Sequence, residues 1–134
     1  MITLRYNSTP PTSNTSLMPV NGRLIHTDST RKYRKQIELE TVSQLTEEYK
    51  QEILNYKDCK LECHIYIKDN WFNKGNLKIK KLDIQNKHKA LIDSIFAIFT
   101  TLEPSLDDSQ LFVIHLHKLH DSEIKETIIN IESL

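Results

Sequence analysis

The chain has 134 residues, of which 38% are hydrophobic and 27% charged, and its 18 basic and 18 acidic side chains leave a formal net charge of zero. That length supports one modest core and is expected to form one domain over residues 1–134; the composition excludes intrinsic disorder, and zero net charge by itself argues neither for nor against a polyanionic partner. No stretch approaches the roughly 20 apolar residues of a membrane span, and Met1–Tyr6, which contains Arg5, lacks the apolar run of a secretory leader, so a cytoplasmic protein with no membrane partner is expected.

In chain order, Ile2–Tyr6 alternates apolar and polar side chains and predicts a first strand, which ends at a turn-rich run containing Pro10 and Pro11. A long loop follows, then the turn dipeptide Asn21-Gly22 and a short strand over Arg23–His26. Asp28, Ser29 or Thr30 can cap a single helix running to about Asn55, whose apolar positions Tyr33, Ile37, Val42, Leu45, Tyr49 and Ile53 recur at mostly helical spacing. Its other positions are densely charged, as in a surface helix with one buried stripe.

Cys59–Ile67 alternates as a strand, and Asn76–Lys80 is its expected hairpin partner. Four residues apart on one strand face, Cys59 and Cys63 stand about 13 Å apart, too far for a disulfide, and are expected to be reduced core residues. Trp71 and Phe72 fall in the connection, where they either close a core edge or stack on bases. Over Ile84–Phe99, the residues Ile84, His88, Leu91, Ile95 and Ile98 form the stripe of a helix against a sheet. On the same wheel Asn86, Lys89 and Asp93 share a polar stripe within about 60° of one another. Gln110–Lys118 reads as a strand covered on part of both faces, and Thr127–Glu132 as the last strand. Strands interleaved with two helices, with hairpins favouring antiparallel pairing, predict an α+β layer.

Charge is unevenly distributed. Arg23, Arg31, Lys32, Arg34 and Lys35 cluster early, and Lys74, Lys78, Lys80, Lys81, Lys87 and Lys89 surround a carboxylate-rich region, so one basic face can meet phosphates or simply be solvated. Asp83 and Asp108, separated by one helix and a loop, can converge at one end of the layer. Paired carboxylates of this kind hold Mg²⁺, which supplies a nucleophilic water and stabilises charge on a phosphodiester, with Lys89 placed to neutralise the phosphate. On spacing alone, a helix cap at Asp83 and a turn at Asp107-Asp108 explain the same residues. His115-x-His117-x-x-His120 is either a transition-metal site or a set of surface histidines. With only two glycines, Gly22 and Gly75, a glycine-rich phosphate loop is excluded.

The run Asp83-Ile84-Gln85-Asn86-Lys87-His88-Lys89, continued to Asp93 and followed by Asp107-Asp108-Ser109-Gln110 and a strand, resembles the core pattern of RusA-type Holliday junction resolvases. Pro10-Pro11-Thr12-Ser13-Asn14, Gly22-Arg23 and the helix start at Arg31-Lys32-Tyr33-Arg34 are similar to the family's first half, more loosely. The resemblance implies a single layer of mainly antiparallel or mixed sheet against two main helices. It also implies a Mg²⁺-dependent endodeoxyribonuclease, with Mn²⁺ as a substitute, that acts as a homodimer on four-way DNA junctions in recombination and repair. Such enzymes are often carried by phages and prophages.

On that resemblance Asp83 and Asp108 are catalytic metal ligands, Lys89 is catalytic or contacts phosphate, and Asp107 is a neighbouring carboxylate on the metal. Asn14, Arg23, Arg31, Arg34, Lys80, Lys81 and Lys87 are the expected DNA contacts. The departure is Gln85, which stands where the family pattern has a catalytic aspartate. Its amide oxygen can still ligate a hard cation, but it is neutral and cannot take a proton, so a catalytically weakened or inactive junction-binding protein is the alternative expectation.

Overall fold

The computed structural model describes residues 1–10, 17–72 and 88–134. Strand β1 (Ile2–Tyr6) buries Ile2, Leu4 and Tyr6, the alternate positions its pattern predicts. Strands β2 (Leu17–Val20) and β3 (Arg23–His26) form a separate two-stranded hairpin whose two-residue turn has positive φ at both Asn21 (50°) and Gly22 (76°). Such a turn matches the right-handed twist of the strands, which is why Asn-Gly occupies it. The sequence reading takes β2 as loop, because Pro19 and the turn-rich run before it mask the strand.

The expected single helix over 28–55 is two helices, α1 (Asp28–Gln44) and α2 (Glu47–Asn55), each capped by a threonine side chain. Thr27 accepts the Thr30 N–H at 3.4 Å, and Thr46 accepts the Tyr49 N–H at 3.1 Å. Thr46 followed by Glu47 and Glu48 is itself a helix start, with acidic groups at the positive end of the new helix, and Leu45 is extended to allow the turn. The break also changes the buried stripe. Val42 is 56% exposed, and Thr41 takes its place beside Tyr33 and Ile37.

Strand β4 (Leu61–Asp69) buries Leu61, Cys63, Ile65 and Ile67 and turns Glu62, His64, Tyr66 and Lys68 to the opposite face. Cys63 is a reduced core residue as expected, whereas Cys59 precedes the strand, with its thiol against the Asn55 carbonyl. Trp71 closes the core edge, donating its indole N–H to the carbonyls of Leu119 at 3.0 Å and Ile67 at 3.3 Å. Helix α3 (Lys89–Leu102) buries Leu91, Ile92, Ile95, Phe96 and Phe99. A 3-10 turn at Asp108–Gln110 then leads into β5 (Leu111–His120), and β6 (Glu126–Ser133) ends the chain's regular structure. The parts of the expected helix and hairpin that fall at 73–87 lie outside the described residues.

The four long strands make one mixed sheet in the order β1-β6-β4-β5. Strand β6 is antiparallel to both neighbours, while β4 and β5 run parallel through the α3 crossover. The helices cover the face carrying Ile2, Leu4, Ile65, Ile129 and Ile131, with α1 packed on α3, so the fold is the α+β layer the sequence predicts. No helix among the described residues is long and apolar enough to cross a membrane.

Candidate active site

Packing of α1 on α3, and of the 3-10 turn on the middle of α3, brings together charged side chains from three parts of the chain. Lys89, on the first residue of α3, and Asp93, one turn on, line a cleft of 290 Å³ with Asp108, Leu111 and Ile114. A second opening of 380 Å³ shares Asp93 and Asp108 and adds Arg34 and Asp107. Arg34 follows buried Tyr33 on α1 and directs its guanidinium to Asp93, Nη1 to Oδ2 at 3.5 Å. That ion pair is half-exposed and worth little in stability. Its consequence is positional, since it sets a cation at the mouth of a carboxylate cluster.

The turn that carries the carboxylates is fixed by a reciprocal cap. Asp107 accepts the Ser109 N–H at 3.1 Å, and Gln110 Oε1 accepts the Asp107 N–H at 3.1 Å. Gln110 Nε2 also donates to the carbonyls of Tyr56 and Cys59, both at 3.0 Å, tying the turn to the connection between α2 and β4. Asp107 is thus the turn residue that spacing alone suggests, and it leaves Asp108 on the cleft.

The two aspartates titrate as a pair. A hydrogen bond to Asp107 raises the Asp108 carboxyl above the usual range, aided by partial burial and by the negative charges of Asp107 and Asp93. The same bond, with the Ser109 N–H, lowers Asp107. A proton shared between neighbouring carboxylates is the response to crowded negative charge, which a divalent cation also relieves. Among the described residues the donors are all carboxylate oxygens, the kind Mg²⁺ or Mn²⁺ prefers.

Of the sequence-predicted site residues, the structure therefore brings Asp107, Asp108, Lys89 and Arg34 together. Arg23 is exposed at the start of β3, and Arg31 is exposed on α1 and paired with Asp28; neither lines the two clefts. Asn14, Lys80, Lys81, Asp83, Gln85 and Lys87 lie outside the described residues. Glu103 is engaged with Ser105, whose hydroxyl it accepts at 2.7 Å, and does not line the clefts. Asp93 is absent from the predicted metal and catalytic set although its helical spacing from Lys89 marks it. The link to Arg34, 59 residues earlier, has no local sequence signal. The three histidines of β5 do not converge: His115 meets Glu62 of β4, while His120 accepts the Trp71 N–H at 3.3 Å.

Carboxylates crowded in one cleft with cations at its rim are suited to gripping a phosphodiester and the metal that activates it. The chain belongs to the RusA endodeoxyribonuclease family, whose profile, described as Endodeoxyribonuclease RusA, matches residues 8–132. Membership places it among nucleases of the Holliday junction resolvase type. No curated protein sequence matches the chain.

Proposed function

We propose that the protein is a Mg²⁺-dependent, structure-selective endonuclease that resolves four-way DNA junctions in recombination or repair, working as a homodimer in the cytoplasm. The observation that supports this most is the meeting of Asp93 and Asp108 with Lys89 in one cleft and with Arg34 and Asp107 in the adjoining one, in a chain of this family. Asp83, Gln85, Asp107 and Asp108 are the residues that would hold the ion, and Asp93 lines the clefts with Asp107 and Asp108. When bound, Mg²⁺ supplies a water of lowered pKa and a counter-charge for the phosphate. Lys89 offers its ammonium to the non-bridging phosphate oxygens, where charge grows in the transition state. The hydrogen bond to Asp107, with partial burial and the negative charges of Asp107 and Asp93, raises the Asp108 carboxyl, and a bound cation would offset that crowding. Arg34 orients Asp93 and, with Arg23, Arg31, Lys80, Lys81, Lys87 and Asn14, contributes to DNA binding. A two-fold dimer fits a two-fold substrate.

Gln85 supports a second reading, a junction-binding protein with weakened cleavage, because an amide oxygen cannot take a proton from the attacking water. One experiment separates the two. Synthetic four-way junctions incubated with Mg²⁺ or Mn²⁺ should be nicked symmetrically by the wild type and at least a hundredfold less by Asp108→Asn. Binding without nicking, with cleavage gained in Gln85→Asp, would establish the second reading. Loss of both binding and cleavage in all variants would sink the proposal.

A further inference from the structure

The sheet has a second polar cluster, on the face turned away from the helices. Glu62 and His64 alternate with buried Leu61, Cys63 and Ile65 on β4, and His115 is the parallel-strand partner of His64 on β5. Both imidazoles converge on one oxygen: Glu62 Oε1 lies 2.9 Å from His115 Nε2 and 3.2 Å from His64 Nε2. The two rings are stacked, with centroids 4.1 Å apart and planes 8° from parallel. On the far side of the His64 ring, Nδ1 stands 3.4 Å from His117 Nε2.

We propose that Glu62, His64 and His115 form a binding site for a borderline divalent cation, Zn²⁺ foremost, separate from the carboxylate cleft. The three ligand atoms lie within 4.8 Å of one another. Around an ion bound at about 2.0–2.1 Å in tetrahedral geometry, ligand atoms are about 3.3 Å apart, so the 3.2 Å edge from His64 to Glu62 already has the required length and the 2.9 Å edge from His115 opens by about 0.4 Å. Two imidazoles and one carboxylate favour Zn²⁺ over Mg²⁺, and three protein ligands leave a position for water. Binding through Nε2 requires each imidazole to be neutral with its one proton on Nδ1. His64 then carries its proton on Nδ1, from which it donates to His117 Nε2, an orienting contact of the kind that supports metal-bound histidines. All three ligands are reachable from solvent, and each sits on a paired strand that holds its backbone in place.

The test is a zinc titration of the metal-stripped protein against a chromophoric chelator in millimolar Mg²⁺, with thermal melting as a second readout. The expected result is one Zn²⁺ per chain and a raised melting temperature, both unchanged in Asp108→Asn. His115→Gln and Glu62→Gln, each first shown to melt normally without metal, should weaken binding at least tenfold, and His117→Ala by about tenfold without abolishing it. Zinc displaced by Mg²⁺, lost in Asp108→Asn, or bound equally by the His115 and Glu62 variants would overturn the site and leave the cluster as a hydrogen-bonded pair of imidazoles.

Discussion

Replacing Gln110 tests whether the carboxylate turn is held by one amide. Gln110→Ala removes the bond from the Asp107 N–H (3.1 Å) and the two donations to the carbonyls of Tyr56 and Cys59 (3.0 Å each). At about 0.5–1.5 kcal/mol net per bond, the three together are worth about 1.5–4.5 kcal/mol. The lower part of that range applies, because the Tyr56 carbonyl keeps the Cys59 N–H at 3.0 Å and the exposed Asp107 N–H can turn to water. A loss of about 2 kcal/mol corresponds to a melting temperature lower by roughly 6–10 °C for a chain of this size. Gln110→Glu keeps the shape and the acceptor but points a carboxylate at two carbonyls, which raises its pKa above the unfolded value. Protonation then restores a donor, so this variant is most stable below the ordinary Glu range of about 4.3 and loses stability as pH rises through the raised folded pKa. Melts followed by circular dichroism from acid to neutral pH distinguish the variants, the Ala deficit staying flat and the Glu deficit growing. An Ala variant melting within about 2 °C of wild type, or a Glu variant with no added pH dependence, would refute the anchoring role.

Thr41→Val should cost about 1–3 kcal/mol in urea unfolding, since it leaves the buried Tyr6 hydroxyl, now 2.7 Å from Thr41 Oγ1, without that partner. Adding Tyr6→Phe should recover part of the loss. Burial pushes the Cys63 thiol up to about 12, so the native protein should react with one equivalent of a thiol reagent at pH near 8, through Cys59, and with a second only on unfolding. A raised thiol pKa stabilises the fold fully below the unfolded value of about 8.5 and loses that contribution as pH climbs toward the folded one, so the urea midpoint should begin to fall above about pH 8.5. Arg34→Ala should weaken junction binding and reduce the slope of log affinity against log salt by about 1, measured by fluorescence anisotropy.

The regular elements were legible wherever one periodicity ruled. Alternation marked β1 and β4, and the Asn21-Gly22 turn located β3. The misread boundary fell where a helix-capping signal lay inside a longer helical pattern: Thr46-Glu47-Glu48 starts a new helix, although the apolar spacing on either side reads as continuous. Parallel pairing of β4 with β5 was hidden because it depends on α3 crossing over the sheet, a long-range event that hairpin spacing does not report. At the site, Lys89 and Asp107-Asp108 were visible as local patterns. The Arg34–Asp93 pair and the Glu62–His64–His115 cluster were not, because each joins elements about 50 residues or more apart that only packing brings together.

The charge balance of the cleft bears on how its ligands depend on one another. Among the described residues the two clefts together gather the carboxylates of Asp93, Asp107 and Asp108 against the cations Lys89 and Arg34, so negative groups outnumber positive ones. Left alone, that excess repels a phosphodiester, and the upward shift of Asp108, caused first by its hydrogen bond to Asp107 and then by burial and the charges of Asp107 and Asp93, has part of its origin in the same excess. On the proposed reading, a divalent cation and DNA then favour each other's binding, and the linkage is reciprocal: DNA must tighten cation binding by the factor by which the cation tightens DNA binding. On the same reading, a neutral Gln85 would weaken the cation's hold while lessening repulsion of DNA and so favour binding over cutting, and Gln85→Asp should make DNA affinity more dependent on the divalent ion than it is in the wild type.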